Sequence, residues 1–64
     1  MMAAINKQYC FNYRVTNEVS KFNDRFCSQY GNYSDAMDEL IEHIIGIMGT
    51  GFRFIDLKIS VLYG

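Results

Sequence analysis

A chain of 64 residues has room for one domain, near the lower size limit for folding without disulfides or metals. Half of it is apolar or aromatic, which makes a packed core attainable and argues against disorder. Six Lys and Arg against seven Asp and Glu leave a net charge of −1, which argues against a strongly basic nucleic-acid binder and equally against an acidic mimic of DNA.

In chain order, residues 1–7 read as a loose start to a single domain spanning 1–64. The opening MMAAINKQYC lacks the apolar segment of a signal peptide. The longest apolar run, around Ile44–Met48, is too short to cross a bilayer. The expectation is therefore a soluble cytoplasmic protein. In that compartment Cys10 and Cys27 are expected to stay reduced, and with one histidine and no Cys-x-x-Cys they make no zinc site.

QYCFNYRV, residues 8–15, alternates Tyr9, Phe11, Tyr13 and Val15 with Gln8, Cys10, Asn12 and Arg14. Period two with aromatic and β-branched residues is a half-buried strand. The next segment, 16–32, supports two readings. As a helix it gathers Val19, Phe22, Phe26, Cys27 and Tyr30 on one face, but its Asn and Ser residues are mediocre helix formers. As a strand it completes a hairpin, and a sheet of only two strands would be marginal. The strand is preferred. One allowed hairpin register sets Phe11 opposite Phe26 and Val15 opposite Phe22, with Cys10 opposite Cys27 on the outer face, where an oxidised sample could form a disulfide that the cytoplasm would not favour.

YSDAMDELIEHIIGIMG, residues 33–49, is an amphipathic helix. Ser34 suits the N-cap, and Asp35, Asp38 and Glu39 load the positive end of the helix dipole. Met37, Leu40, Ile41, Ile44, Ile45, Ile47 and Met48 cover one broad face, opposite an acidic stripe of Asp35, Asp38, Glu39 and Glu42. FRFIDLKISVLY, residues 52–63, is the last strand. Phe52 and Phe54 sit on the opposite parity from Ile55, Leu57, Ile59, Val61 and Tyr63, which suggests a bulge or a binding role for their face.

The fold class expected is α+β, in the order β-β-α-β, with a three-stranded antiparallel sheet on one amphipathic helix. The alternative is β-α-α-β, with 17–30 helical. The expected core is Phe11, Tyr13, Val15, Met37, Leu40, Ile41, Ile44, Ile45, Leu57, Ile59 and Val61.

The glycine-rich stretch IIGIMGTGFRF, residues 44–54, invites comparison with a phosphate loop. Such a loop follows a strand and opens a helix, so that free amide hydrogens meet the anion. Here the order is reversed, Phe52 stands where a lysine would follow, and a helix C-terminus presents carbonyls. Gly49 ends the helix and Gly51 belongs to the turn. His43 beside the acidic stripe, the Asp38 and Glu42 pair, and the two cysteines lack the concave setting or adjacent base that catalysis needs. No enzyme activity, cofactor or metal is expected.

The order strand, strand, a helix beginning YSDAMDEL and a strand beginning GFRFIDLKISV resembles a group of very small phage-encoded proteins. The layout is similar to podophage inhibitors of bacterial RNA polymerase. More loosely, it is similar to phage inhibitors of uracil-DNA glycosylase and to anti-CRISPR proteins. The resemblance covers about residues 8–63 and implies a non-catalytic blocker of a host enzyme that handles nucleic acid.

Ten aromatic rings, five Phe and five Tyr, exceed what one small core requires and point to a surface that meets a partner. The expected contact residues are Asp35, Asp38, Glu39 and Glu42 on the helix, with Phe52, Arg53, Phe54 and Lys58 on the last strand. A homodimer is also expected, with Phe52, Phe54 and Leu62 beside the cysteines on the open sheet face. The alternatives are a small single-stranded nucleic-acid binder using Arg14, Lys58 and neighbouring rings, and a structural homo-oligomeric subunit.

Overall fold

The computed structural model describes residues 7–63. The expected loose segment 1–7 lies outside these residues except for Lys7, which begins a strand. Four elements follow in the order β1 (Lys7–Thr16), β2 (Lys21–Cys27), α1 (Tyr33–Met48) and β3 (Arg53–Tyr63). The sheet is antiparallel throughout, with β1 in the middle and the order β2-β1-β3. The fold is α+β, and segment 16–32 contains a strand rather than a helix.

The hairpin turn explains why the chain reverses before Lys21. Asn17 accepts hydrogen bonds through Oδ1 from the amides of Val19 (2.9 Å) and Ser20 (2.8 Å), closing the loop on its own side chain. Its Nδ2 donates to the carbonyl of Met48 at 3.4 Å, tying the turn to the end of α1. The resulting register places Cys10 opposite Cys27, Phe11 opposite Phe26 and Val15 opposite Phe22. Cys10 and Cys27 are joined in a disulfide, with Cα atoms 4.0 Å apart. The expectation of two free thiols is corrected here, because direct opposition across the ladder brings the sulfurs together.

On the other side of β1 the ladder runs from the Lys7–Tyr63 pair to the Thr16–Arg53 pair. It shifts once. Arg14 opposes Asp56 but Val15 opposes Phe54, so Ile55 is an extra residue in β3. The shift turns Phe54 to the same face as Val15.

The helix is capped two residues earlier than Ser34 suggests. Asn32 is the N-cap, its backbone extended and its Oδ1 accepting from the Asp35 amide at 3.0 Å. Its Nδ2 donates back to Asp35 Oδ2 at 2.8 Å, a reciprocal pair that satisfies one of the free amides of the first turn. Gly49 closes the helix with φ of 81° and donates its amide to the Ile45 carbonyl. A positive φ is cheap only for glycine.

The core is smaller than expected: Phe11, Tyr13 and Val15 from β1 against Ala36, Leu40 and Ile44 from α1. Met37, Phe22, Phe26, Phe54 and Leu57 pack around it, half-buried. Ile41 and Val61 are also half-buried rather than central. Ile45 and Ile59, expected inside, are exposed. The reason is the seat of α1, which leans toward β2: Glu39 reaches Ser28, and the His43 ring stacks on Phe26 at 4.5 Å. The inner face of β3 is left with partial cover. Among the described residues, no helix is long and apolar enough to cross a membrane.

Candidate functional site

Two surfaces carry the polar chemistry, on opposite sides of the molecule. The first is the start of α1 and the loop before it. Asp35, Asp38 and Glu42 recur at intervals of three and four and are exposed along one side of the helix. Tyr30 and Tyr33 stand at the same end, 43% and 48% exposed. Tyr33 is held by an edge-to-face contact with Tyr9, ring centroids 5.9 Å apart.

Glu39 belongs to this stripe in sequence but faces inward in use. Its Oε1 accepts from the Ser28 hydroxyl at 2.6 Å and from the Gln29 amide at 3.1 Å. Ser28 is fully buried and its Oγ in turn accepts from the Tyr30 amide at 2.9 Å. Glu39 therefore holds the loop that presents Tyr30, and is less exposed than its neighbours.

The second surface is the sheet face turned away from α1. Alternation places Cys10, Asn12, Arg14 and Thr16 of β1 there, because Phe11, Tyr13 and Val15 face the helix. Their cross-strand partners follow: Lys21, Asn23, Arg25 and Cys27 from β2, and Arg53, Asp56, Lys58 and Ser60 from β3. A shallow hollow of about 250 Å³ opens on this side, lined in part by Asn12, Arg14, Asn23, Asp56 and Lys58.

The eight expected contact residues are thus not brought together. Asp35, Asp38 and Glu42 share the helix surface, while Arg53 and Lys58 lie on the sheet's far face. Phe52 and Phe54 are half-buried against the core, their rings edge to face at 5.5 Å. The expected apolar patch of Phe52, Phe54 and Leu62 beside the cysteines does not form, because the Ile55 bulge rotates Phe54 inward. Tyr30 and Tyr33 supply exposed rings instead. Their position just before a run of helix-compatible acids was the available signal.

Among the described residues, one buried polar group stands alone. The Tyr13 hydroxyl has no hydrogen-bond partner, and burial, followed by the nearby Asp24 carboxylate, pushes its pKa above the ordinary 10.0. It stays a neutral phenol at physiological pH. Among the described residues, no group of three His, Cys, Asp or Glu side chains converges to hold a metal.

No protein-family model matches this chain, and no curated protein or solved structure is detectably similar to it.

Proposed function

We propose that the chain is a non-catalytic, phage-type inhibitor that binds a host protein through the surface built from Tyr30, Tyr33, Asp35, Asp38 and Glu42. The observation that supports this reading is the meeting of two exposed tyrosines with three exposed carboxylates at one end of α1. Tyrosine anchors with a charged surround are the composition of a protein-docking surface. Three carboxylates fit a small basic patch on an RNA polymerase, a CRISPR effector or a DNA-processing enzyme, without the dense charge of a DNA mimic. Occupying such a patch blocks the enzyme without any chemistry on the inhibitor's part. A two-fold dimer through the free edge of β3, where Ile55, Ile59 and Leu62 are exposed, accompanies this reading.

The test is recovery of a stoichiometric partner from bacterial lysate, followed by assay of that partner's activity. The wild-type chain is expected to retain and inhibit one host protein. Asp38→Lys with Glu42→Lys, and separately Tyr33→Ala, should release it. Equal retention by these variants, or recovery of no partner, counts against the proposal. Light scattering of the free chain reports the dimer, and a mass of 7.4 kDa would reject it.

A further inference from the structure

Net charge conceals a sorting of charges by face. Five of the chain's six lysines and arginines, namely Arg14, Lys21, Arg25, Arg53 and Lys58, stand on the outer sheet face, and all are exposed. Asp56 stands among them, and Asp24 of β2 lines the hollow on this face. The register fixes their pattern. Thr16 lies between Arg53 and Lys21, Asn12 between Lys58 and Arg25, and Arg14 between Asp56 and Asn23. Four cations therefore mark the corners of a patch and Arg14 its middle. From ordinary strand spacing and rise, the corners enclose roughly 10 by 14 Å.

A face meant only for solvent mixes both signs. Here the corners lie roughly 10 to 14 Å apart, beyond one Debye length (~8 Å), so the cations tolerate one another and each is free to meet a separate anion. Uncharged Thr16 and Asn12 separate the corners, and Gln8, Asn12, Asn23 and Ser60 add neutral hydrogen-bonding groups around them. The central hollow has Asp24 and Asp56 in its lining beside Arg14 and Lys58, so it is neutral itself and leaves the cations around its rim to meet phosphates. No aromatic side chain occupies this face, since every ring of the three strands lies on the alternate parity or in the inward-turned Phe54. Bases have nothing to stack on, and binding falls to phosphate contacts. A duplex carries about one charge per 1.7 Å of axis, denser than a single strand, so a ring-free cationic face favours the duplex.

We propose that this face binds the phosphate backbone of a nucleic-acid duplex without reading its sequence, Arg14, Lys21, Arg25, Arg53 and Lys58 meeting phosphates. The acidic surface of α1 lies on the other side of the sheet and stays clear of the polyanion. The site is independent of the protein-docking surface proposed above.

Fluorescence anisotropy with a short labelled duplex of mixed sequence tests it. Affinity should fall with a log–log salt slope of about −4.5 for five phosphate contacts, so a fourfold rise in salt weakens binding ~500-fold. Lys21→Glu with Arg25→Glu and Lys58→Glu should abolish binding while circular dichroism stays unchanged. Asp38→Asn with Glu42→Gln should leave binding intact, which separates this site from the helix surface. The proposal is overturned by no binding at low salt, by salt-insensitive binding, or by tighter binding to the matching single strand. It is also overturned if the triple variant binds as the wild type does. Salt-sensitive self-association that the triple variant loses, without duplex binding, would assign the face to the acidic helix of a second copy.

Discussion

The buried hydroxyl of Ser28 donates to Glu39 Oε1 at 2.6 Å, joining the end of β2 to the second turn of α1. The Gln29 amide shares the same oxygen, so one carboxylate satisfies two donors. Glu39→Ala leaves the buried hydroxyl hydrogen without an acceptor and should cost about 1.5–3 kcal/mol, the range for hydrogen bonds to a charged group. Glu39→Gln keeps an acceptor and should cost less. Urea titration of the three proteins measures the order.

Closing the loop between Cys10 and Cys27, 17 residues apart in sequence, restricts the unfolded chain. Cys27→Ser, or reduction, should lower stability by roughly 3 kcal/mol on the chain-entropy account. The fold should survive, because the Phe11–Phe26 and Val15–Phe22 pairs hold the same register. Urea midpoints with and without reductant give the difference, and cross-strand contacts in NMR show whether the register persists.

Gly46 lies inside α1, and a Cβ added there would meet nothing within 4 Å. Gly46→Ala should therefore stabilise the protein by about 0.5–1 kcal/mol through helix propensity. A raised thermal midpoint checks this.

The unpartnered Tyr13 hydroxyl makes Tyr13→Phe neutral or stabilising by about 1 kcal/mol, since it removes a buried group that loses its water without gaining a bond. The sign with pH is definite. Folding raises this pKa above 10.0, so above that pH the unfolded chain gives up the proton first and stability falls. Denaturation across alkaline pH should show a steeper loss for the wild type than for Tyr13→Phe.

Leu40 and Ile44 are fully buried, whereas Ile45 is 36% exposed. Leu40→Ala and Ile44→Ala should each cost about 2–5 kcal/mol, enough to unfold a domain this small. Ile45→Ala should cost distinctly less. Thermal melts of the three variants test the seat assigned to α1.

Strand parity made the hairpin legible: once Phe11 and Phe26 must share a face, Cys10 and Cys27 follow. The helix was legible from its apolar periodicity, though its cap was misplaced, since Asn32 and Ser34 are both good caps and only backbone conformation chooses. Periodicity marks Ile45 as apolar-facing, yet a single helix leaning toward β2 cannot cover the inner side of β3 as well. Phe54 was misplaced because parity counts through a bulge give the wrong face beyond Ile55. The cationic patch was hidden by summation. Net charge adds Lys21 to Asp38, although the sheet lies between their surfaces.

The position of β1 sets an order in time. It pairs with β2 across a turn of residues 17–20, a local step that needs little loop closure. Its other edge waits for β3, which must return past the whole of α1. The first strand made is thus half-paired until the last arrives, and closing that longer loop is the slower event. In the native state the same arrangement reverses the ranking. Amides of β1 are enclosed on both edges and should outlast those of either neighbour, while β3 can peel away and leave the hairpin standing.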